Sequence, residues 1–309
     1  MTDKPRIILD CDPGIDDAFA IVTASRWAEI IAVTTVSGNV SLDKTTANAL
    51  RLRSLIGSDF PVHAGAHKPL EVAPLSAGHV HGDCGLGGID LPYSSESPDS
   101  NNAIEFLVEE TRKEEGLHLV PIGPLTNIAL ALQADPDMAK RVSSITFMGG
   151  SAGGLGNVTA AAEFNIYADP EAAQVVLQSG SPVSMVGLNL THQVQVGTKE
   201  TEICHSIDTP VGSAMAYLLD FYADFYRSHL GTDTGSMHDP CAVLAITHPE
   251  LFAFEEKYVA VEVNGQHTRG MTLVDERGVG SEFEPNCRVA YNVNAQEAVA
   301  LIMQAVAEV

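Results

Sequence analysis

Positive charge is what this chain has least of. Its 309 residues carry 17 Lys and Arg against 40 Asp and Glu, a formal net charge of -23 at pH 7. Such a surface repels phosphate backbones and anionic lipid, which argues against nucleic acid and membranes as partners. The same balance suits a bound metal ion and a neutral substrate. Cysteine is also sparse: Cys11, Cys84, Cys204, Cys241 and Cys287 are scattered, odd in number and form no C-x-x-C pair. That pattern is no disulfide framework and fits free thiols in a reducing cytosol. There is no transmembrane run, and Met1-Thr2-Asp3-Lys4-Pro5 leads straight into a strand without a signal-peptide core. A cytoplasmic protein is the expectation.

Several familiar chemical motifs are missing too. The chain has no H-E-x-x-H, no Walker loop, no G-x-S-x-G elbow and no G-x-G-x-x-G after its first strand. Counted from Asp10, an EF-hand would need its bidentate Glu where Ile21 stands, and Gly14 falls one place early. Neither an internal repeat nor a low-complexity tract occurs.

What is present is an α/β pattern. Apolar strand-like runs at 7–9, 30–36, 118–122, 144–148, 183–187 and 258–263 alternate with helical patterns at 18–27, 45–56, 101–114, 127–134, 170–179 and 211–227, and 295–309 reads as a closing helix. This alternation predicts an open, mainly parallel central sheet flanked by helices. No shift in composition marks a boundary, so 1–309 reads as one domain. Two irregular segments stand out, 69–99 and 228–237, and long loops inside compact domains are usually functional.

The most informative stretch is Ile7-Ile8-Leu9-Asp10-Cys11-Asp12-Pro13-Gly14-Ile15-Asp16-Asp17-Ala18. It reads as strand, tight turn and helix, with four acids gathered beyond the carboxyl end of a strand, where open α/β sheets bind ligands. Such close carboxylates repel one another unless a cation sits among them. Hard oxygen donors favour Ca²⁺ or Mg²⁺ over a transition metal. The plainer alternative, an acid-capped helix start, accounts for one or two of the acids but not four.

Other polar groups fall at the ends of later strands: Ser37-Gly38-Asn39, Gly123-Pro124-Leu125-Thr126-Asn127 and Met148-Gly149-Gly150, the last leading to Asn157 and Glu163-Phe164-Asn165. Asn127 is placed to cap the helix that follows. An acid and an amide around one aromatic suit sugar hydroxyls, though a loop acid followed by a helix cap has the same spelling. His238-Asp239-Pro240 opens an apolar helix and offers a proton-transfer group beside another hard ligand; an N-cap Asp with an incidental His is the alternative. His81 lies in a loop flanked by Gly82 and Gly85 and could contact substrate. Tyr222, Tyr226, Arg227 and His229 could stack on a base or equally pack a helix end.

In this order the motifs resemble the inosine-uridine preferring nucleoside hydrolase family. They are Asp10 to Ala18, Gly38-Asn39, His81-Gly82 with Gly85-Leu86-Gly87-Gly88, Gly123 to Asn127, Met148-Gly149-Gly150, Glu163-Phe164-Asn165 and His238-Asp239-Pro240, and they span nearly the whole chain. The resemblance implies an open α/β fold, one Ca²⁺, hydrolysis of the N-glycosidic bond of ribonucleosides, and a homo-oligomer, dimer or tetramer, working in nucleoside catabolism and salvage. It implies that Asp12, Asp17 and Asp239 hold Ca²⁺ with their side chains and Thr126 with its main-chain carbonyl. Asp16, Asn39, Glu163, Asn165 and Asn157 would bind ribose hydroxyls, with Met148 beside the sugar and Asp10 supporting the ligands from behind. Asp12 would take a proton from water and His238 would protonate the departing base, with His81 contacting it. The presence of His238 points to broad or pyrimidine-leaning specificity. With Trp27 the only tryptophan, the aromatic-stacking mode of purine-specific relatives is not expected. One departure is Cys11, where the family often has Thr.

Two competing readings follow from the same residues. A non-catalytic nucleoside- or ribose-binding protein would keep the ribose groups without turnover. A phosphatase of the haloacid dehalogenase type would use Asp10 as nucleophile, but it needs cations around its phosphate, and none of the converging motifs carries Lys or Arg.

Overall fold

A computed structural model describes residues 4–89, 91, 96–277, 280 and 282–309. Within the 69–99 loop, residues 90 and 92–95 therefore lie outside the described residues. The central sheet has eight strands: β1 (Arg6–Cys11), β2 (Glu29–Thr35), β3 (Val62–Ala64), β4 (His118–Pro121), β5 (Ser144–Met148), β6 (Val183–Val186), β9 (Phe252–Lys257) and β12 (Cys287–Val293). Their spatial order is β3-β2-β1-β4-β5-β6-β12-β9. Pairing is parallel except for β9, which runs antiparallel to β12 at the edge. Two short ribbons lie apart, β7 (Gln195–Val196) with β8 (Gly235–Ser236) and β10 (Val259–Val261) with β11 (Thr272–Val274).

The mainly parallel sheet expected from the alternation is present. One difference concerns 258–263, whose apolar core forms β10 and pairs only with β11, outside the central sheet. Strands β3, β9 and β12 carried no clear signal. Phe252–Lys257 holds three charged residues on an edge strand, and Cys287–Val293 interleaves buried with exposed positions, so neither reads as a continuous apolar run.

Helices cover both faces. β1 divides its side chains by alternation: Ile7, Leu9 and Cys11 join one core cluster, and Ile8 joins the other. The first cluster is built with α1 (Ile15–Trp27), α2 (Leu42–Leu55), α11 (Pro210–Leu230), α12 (Asp239–Thr247) and α13 (Ala295–Glu308). The second uses α4 (Ala103–Lys113), α5 (Thr126–Ala134), α6 (Met138–Arg141) and α8 (Pro170–Leu177). Shorter helices α3 (Gly78–His81), α7 (Phe164–Ala168), α9 (Leu188–Thr191) and α10 (Thr198–Ser206) complete the chain. Buried on every side from Ile15 to Ala24, α1 reads as apolar all round rather than amphipathic. Among the described residues no helix is long and apolar enough to cross a membrane.

Strand order reverses between β1 and β4, since the chain winds outward from β1 to β3 and then returns to β4 on its other side. A doubly wound sheet binds ligands in the crevice at such a switch point. Asp10 pairs in register with Thr34 on one side and Pro121 on the other. The acidic turn therefore leaves the sheet at that crevice.

Candidate active site

A cavity of about 440 Å³ opens above the carboxyl ends of the strands, within the size range of small-molecule sites. Its wall includes Asp16 and Asn39 after β1 and β2, Ile122 after β4, Met148 at the end of β5, and His192 beyond β6. Asn157, Glu163 and Asn165 line it as well, together with His81, Tyr226, His238 and Asp239. These candidates, drawn from distant parts of the sequence, share one space, whereas Asp12, Asp17 and Thr126 do not line it. No Lys or Arg lines it among the described residues, which removes the cation that a phosphomonoester site requires.

At its floor the acidic turn is held by its own backbone. Asp17 accepts from the main-chain N–H of Gly14 at 2.8 Å and of Asp12 at 3.2 Å. Asp12 Oδ2 accepts from the Asn39 N–H at 2.6 Å, while Asn39 Nδ2 donates to the Asp12 carbonyl at 3.1 Å and to Asp17 at 3.2 Å. The Asp12 carboxylate passes between two glycines that have no room for a side chain: a Cβ on Gly38 would lie 2.1 Å from Oδ2, and one on Gly123 2.5 Å from Oδ1.

Oxygens of Asp16, Asp17 and Asp239 lie within 4.8 Å of one another. Burial, and then the charge of Asp17, pushes Asp16 up to about 8. Burial also raises Asp17 to about 6 and holds Asp12 and Asp239 well above the usual carboxylate range, with neighbouring acids adding to both. A set of buried, hard oxygen donors whose ionised forms repel one another fits a divalent cation of the Ca²⁺ or Mg²⁺ kind. Asp16, read from the sequence as a ribose ligand, belongs to this cluster as much as Asp17 and Asp239 do.

Asp10 lies behind the turn. Its Oδ1 accepts from the Thr34 hydroxyl at 2.5 Å and from Asn127 Nδ2 at 2.7 Å, while Oδ2 is buried with no hydrogen-bond partner. Burial raises it to about 7 against those two bonds. The expectation that Asn127 caps its helix is wrong. Leu125 holds the cap position, with no side-chain cap. Asn127 instead donates to Asp10 and to the Thr35 carbonyl at 3.0 Å and accepts from the Ala66 N–H at 2.8 Å. It lies inside α5, one residue past Thr126, and its amide ties two strand ends together. Thr126 begins α5, and its hydroxyl donates to Asp169 at 2.7 Å.

Glu163 caps α7 and is itself oriented by that helix. Its carboxylate accepts from the N–H groups of Asn165 at 2.8 Å, Gly150 at 2.9 Å and Ile166 at 3.2 Å. Burial pushes it up to about 7, opposed by those backbone donors. The helix cap in the Glu163-Phe164-Asn165 motif is the acid and not the amide: Asn165 lies inside α7, and both residues line the cavity. Asn165 Nδ2 donates to the Ile122 carbonyl at 2.7 Å and the Met148 carbonyl at 3.1 Å. Those two acceptors fix which end of the amide is nitrogen, and the residue lines the cavity. Asn157, exposed at the mouth, accepts from the Phe164 N–H at 2.9 Å.

Two histidines and an aromatic wall complete the lining. His81 Nδ1 accepts from the Ile15 N–H at 3.1 Å. His238 Nδ1 meets the Thr191 hydroxyl at 2.7 Å. Burial, then the nearby His192 and His81 rings, pushes His238 down to about 3. Tyr222 and Tyr226 stand edge to face at 4.8 Å, with their hydroxyls 3.2 Å apart, and Tyr222 donates to the Ser236 carbonyl at 3.2 Å. Phe225 and Phe164 add to the lining. Arg227 is taken up by Asp224 and Asp233, and His229 stacks on Phe225 at 4.5 Å; neither lines the cavity.

Trp27 ends α1 against His248 and lines no part of the cavity, but aromatic surface is still present there, supplied by tyrosine and phenylalanine of α11. His192 was missed altogether. The one available signal was its place just beyond the carboxyl end of β6, the position that singled out the other strand-end motifs.

Comparison with known proteins agrees with this geometry. The family model described as inosine-uridine preferring nucleoside hydrolase matches residues 7–300. The chain is 43% identical over 303 residues to the pyrimidine-specific ribonucleoside hydrolase RihA of Shewanella woodyi, covering 96% of each chain. It is 42% identical over 306 residues to the RihA of Citrobacter koseri, covering 97% of each. Among solved structures, a plant nucleoside hydrolase, the PpNRh1 enzyme, superposes with a TM-score of 0.93 at 34% identity over 99% of both chains. The purine-preferring ribonucleoside hydrolase from Gardnerella vaginalis does so at 0.92 and 32% identity, covering 98% of both.

Proposed function

Because the chain belongs to the inosine-uridine preferring nucleoside hydrolases and is a ribonucleoside hydrolase, an N-glycosyl hydrolase, we propose that it cleaves pyrimidine ribonucleosides in preference, in a Ca²⁺-dependent reaction. What supports this reading is the cavity in whose lining Asp16 and Asp239 of the acid cluster meet His81, His238, Tyr222 and Tyr226 together with Asn39, Glu163 and Asn165. The base preference draws on the relatives named pyrimidine-specific at 42–43% identity. A cytoplasmic homo-oligomer in nucleoside catabolism is the setting that the family resemblance adds.

Asp12, Asp17, Asp239 and the Thr126 carbonyl are the proposed Ca²⁺ ligands. When bound, such an ion orients a water and makes it more acidic. The chain's own groups do the rest. Cleavage at C1′ leaves positive charge on the ribose and negative charge on the base. Water supplies the hydroxyl that becomes attached to C1′, and Asp12 accepts the proton that this water releases. Asp16, Asn39, Glu163, Asn165 and Asn157 hold the ribose hydroxyls beside Met148. Contacts that tighten as the ring flattens favour the oxocarbenium-like state over bound substrate. The buried carboxylates add electrostatic stabilisation to the cationic sugar. His238 assists the departing base by donating a hydrogen bond from its ring N–H, directly or through a water, and the proton that the base finally keeps comes from solvent. His81 and Tyr226 meet the same base.

The leaving-group role is separable by substrate. His238→Ala is expected to lower kcat on uridine by roughly 10²-fold or more. An aryl riboside such as p-nitrophenyl riboside leaves without a proton and should lose little. Steady-state rates on both substrates check this, and equal losses would remove the role from His238.

A further inference from the structure

We propose that Thr191 fixes the tautomer of His238, so that the ring presents an Nε2–H to the cavity, and that Thr191 is thereby a positioning residue for departure of the base. The inference deepens the role given to His238 above and rests on it. Thr191 ends α9, is fully buried and does not line the cavity. Its hydroxyl lies 2.7 Å from His238 Nδ1, its only side-chain hydrogen bond among the described residues.

That single bond settles the direction of donation. Were Nδ1 the donor, the hydroxyl hydrogen would be buried with no acceptor, an arrangement that native proteins rarely tolerate. A doubly protonated ring would leave the same orphan. The hydroxyl therefore donates, Nδ1 accepts, and the one ring proton resides on Nε2. His81 reaches the same tautomer by a different route, since a main-chain N–H donates to its Nδ1. Two histidines of one cavity wall are thus set as Nε2–H donors, one by backbone and one by Thr191. A base that gains negative charge as it leaves needs donors rather than acceptors at that wall.

The test uses the full-length, Ca²⁺-loaded protein and three variants: Thr191→Val, which keeps the shape and removes the donor; Thr191→Ser, which keeps the donor; and His238→Ala. Nitrogen NMR of histidine-labelled protein reads the tautomer. The wild type should show His238 Nδ1 as the unprotonated nitrogen, Thr191→Ser the same, and Thr191→Val a mixture of tautomers. With the tautomer lost, kcat/KM on uridine should fall about tenfold in Thr191→Val, recover in Thr191→Ser, and stay level on the aryl riboside. A wild-type ring protonated on Nδ1, an unchanged tautomer in Thr191→Val, or equal losses on both substrates would overturn the proposal. If His238→Ala itself loses equally on both substrates, the leaving-group role fails, while the nitrogen shifts still report the action of Thr191 on the ring. Should Thr191→Val fail to fold, Thr191→Ala removes the same donor without a branched side chain and takes its place.

Discussion

Asp12→Asn is expected to lower kcat by roughly 10²–10⁴-fold, the range for loss of a general base, with a much smaller change in KM for uridine. The reason is geometric. Asparagine has the shape of aspartate, and its oxygen can still accept the Asn39 N–H that Asp12 Oδ2 accepts now. Gly38 and Gly123 leave the side chain one channel to occupy, so the amide should follow the same path. What it cannot do is take a proton from water. Glu163 and Asn165 keep their own anchoring bonds, five of them to main-chain groups outside the acidic turn, and ribose should still bind. Steady-state kinetics at saturating Ca²⁺, with bound metal measured in parallel, separate a lost base from a lost ion. A kcat near wild type would remove Asp12 from the chemistry. A protein without metal would show that its first duty is as a ligand.

Stripping Ca²⁺ should abolish turnover and lower the melting temperature by about 4–6 °C, both restored by adding Ca²⁺ back. The figure follows from an ion present at 100-fold its dissociation constant or more, and from the melting entropy of a large domain. Its structural basis is the burial of Asp12, Asp16, Asp17 and Asp239, all under 10% exposed; Asp16 and Asp239 face a cavity whose described lining carries no Lys or Arg to offset them. Backbone donors relieve part of the repulsion at Asp12 and Asp17, and a helix N-terminus adds only about half a charge. Differential scanning calorimetry before and after chelation measures the shift. Identical melting curves with full activity would mean that the carboxylates share protons instead of a cation.

Legibility in the sequence follows the range of each interaction. The acidic turn could be read because strand, turn and helix are consecutive, and all four acids fall between residues 10 and 17. His238 and Asp239 could be read because Pro240 marks a helix start beside them. Asn127 was misread because its partners, Asp10, Thr35 and Ala66, are distant in sequence; a local rule chose the cap, and tertiary bonds chose the strand ends. Thr191 gave no signal, since an anchoring hydroxyl has no motif until the ring it holds is in place, and His192 offered only its place beyond β6. The insertion of β12 between β6 and β9 was hidden for a similar reason: the pairing joins segments about a hundred residues apart, and its alternating burial resembles an amphipathic loop. The wall of tyrosine and phenylalanine on α11 could have been a packed helix face, and only the fold turns it toward the cavity.

Release of free ribose from uridine, cytidine, inosine and adenosine, with and without prior Ca²⁺ stripping, is the most direct measurement. The expected result is ribose from all or some of the four, fastest from uridine and cytidine, lost on stripping and regained with Ca²⁺. Ribose release that is indifferent to Ca²⁺, or none from any nucleoside with Ca²⁺ present and the protein folded, would contradict a Ca²⁺-dependent nucleoside hydrolase.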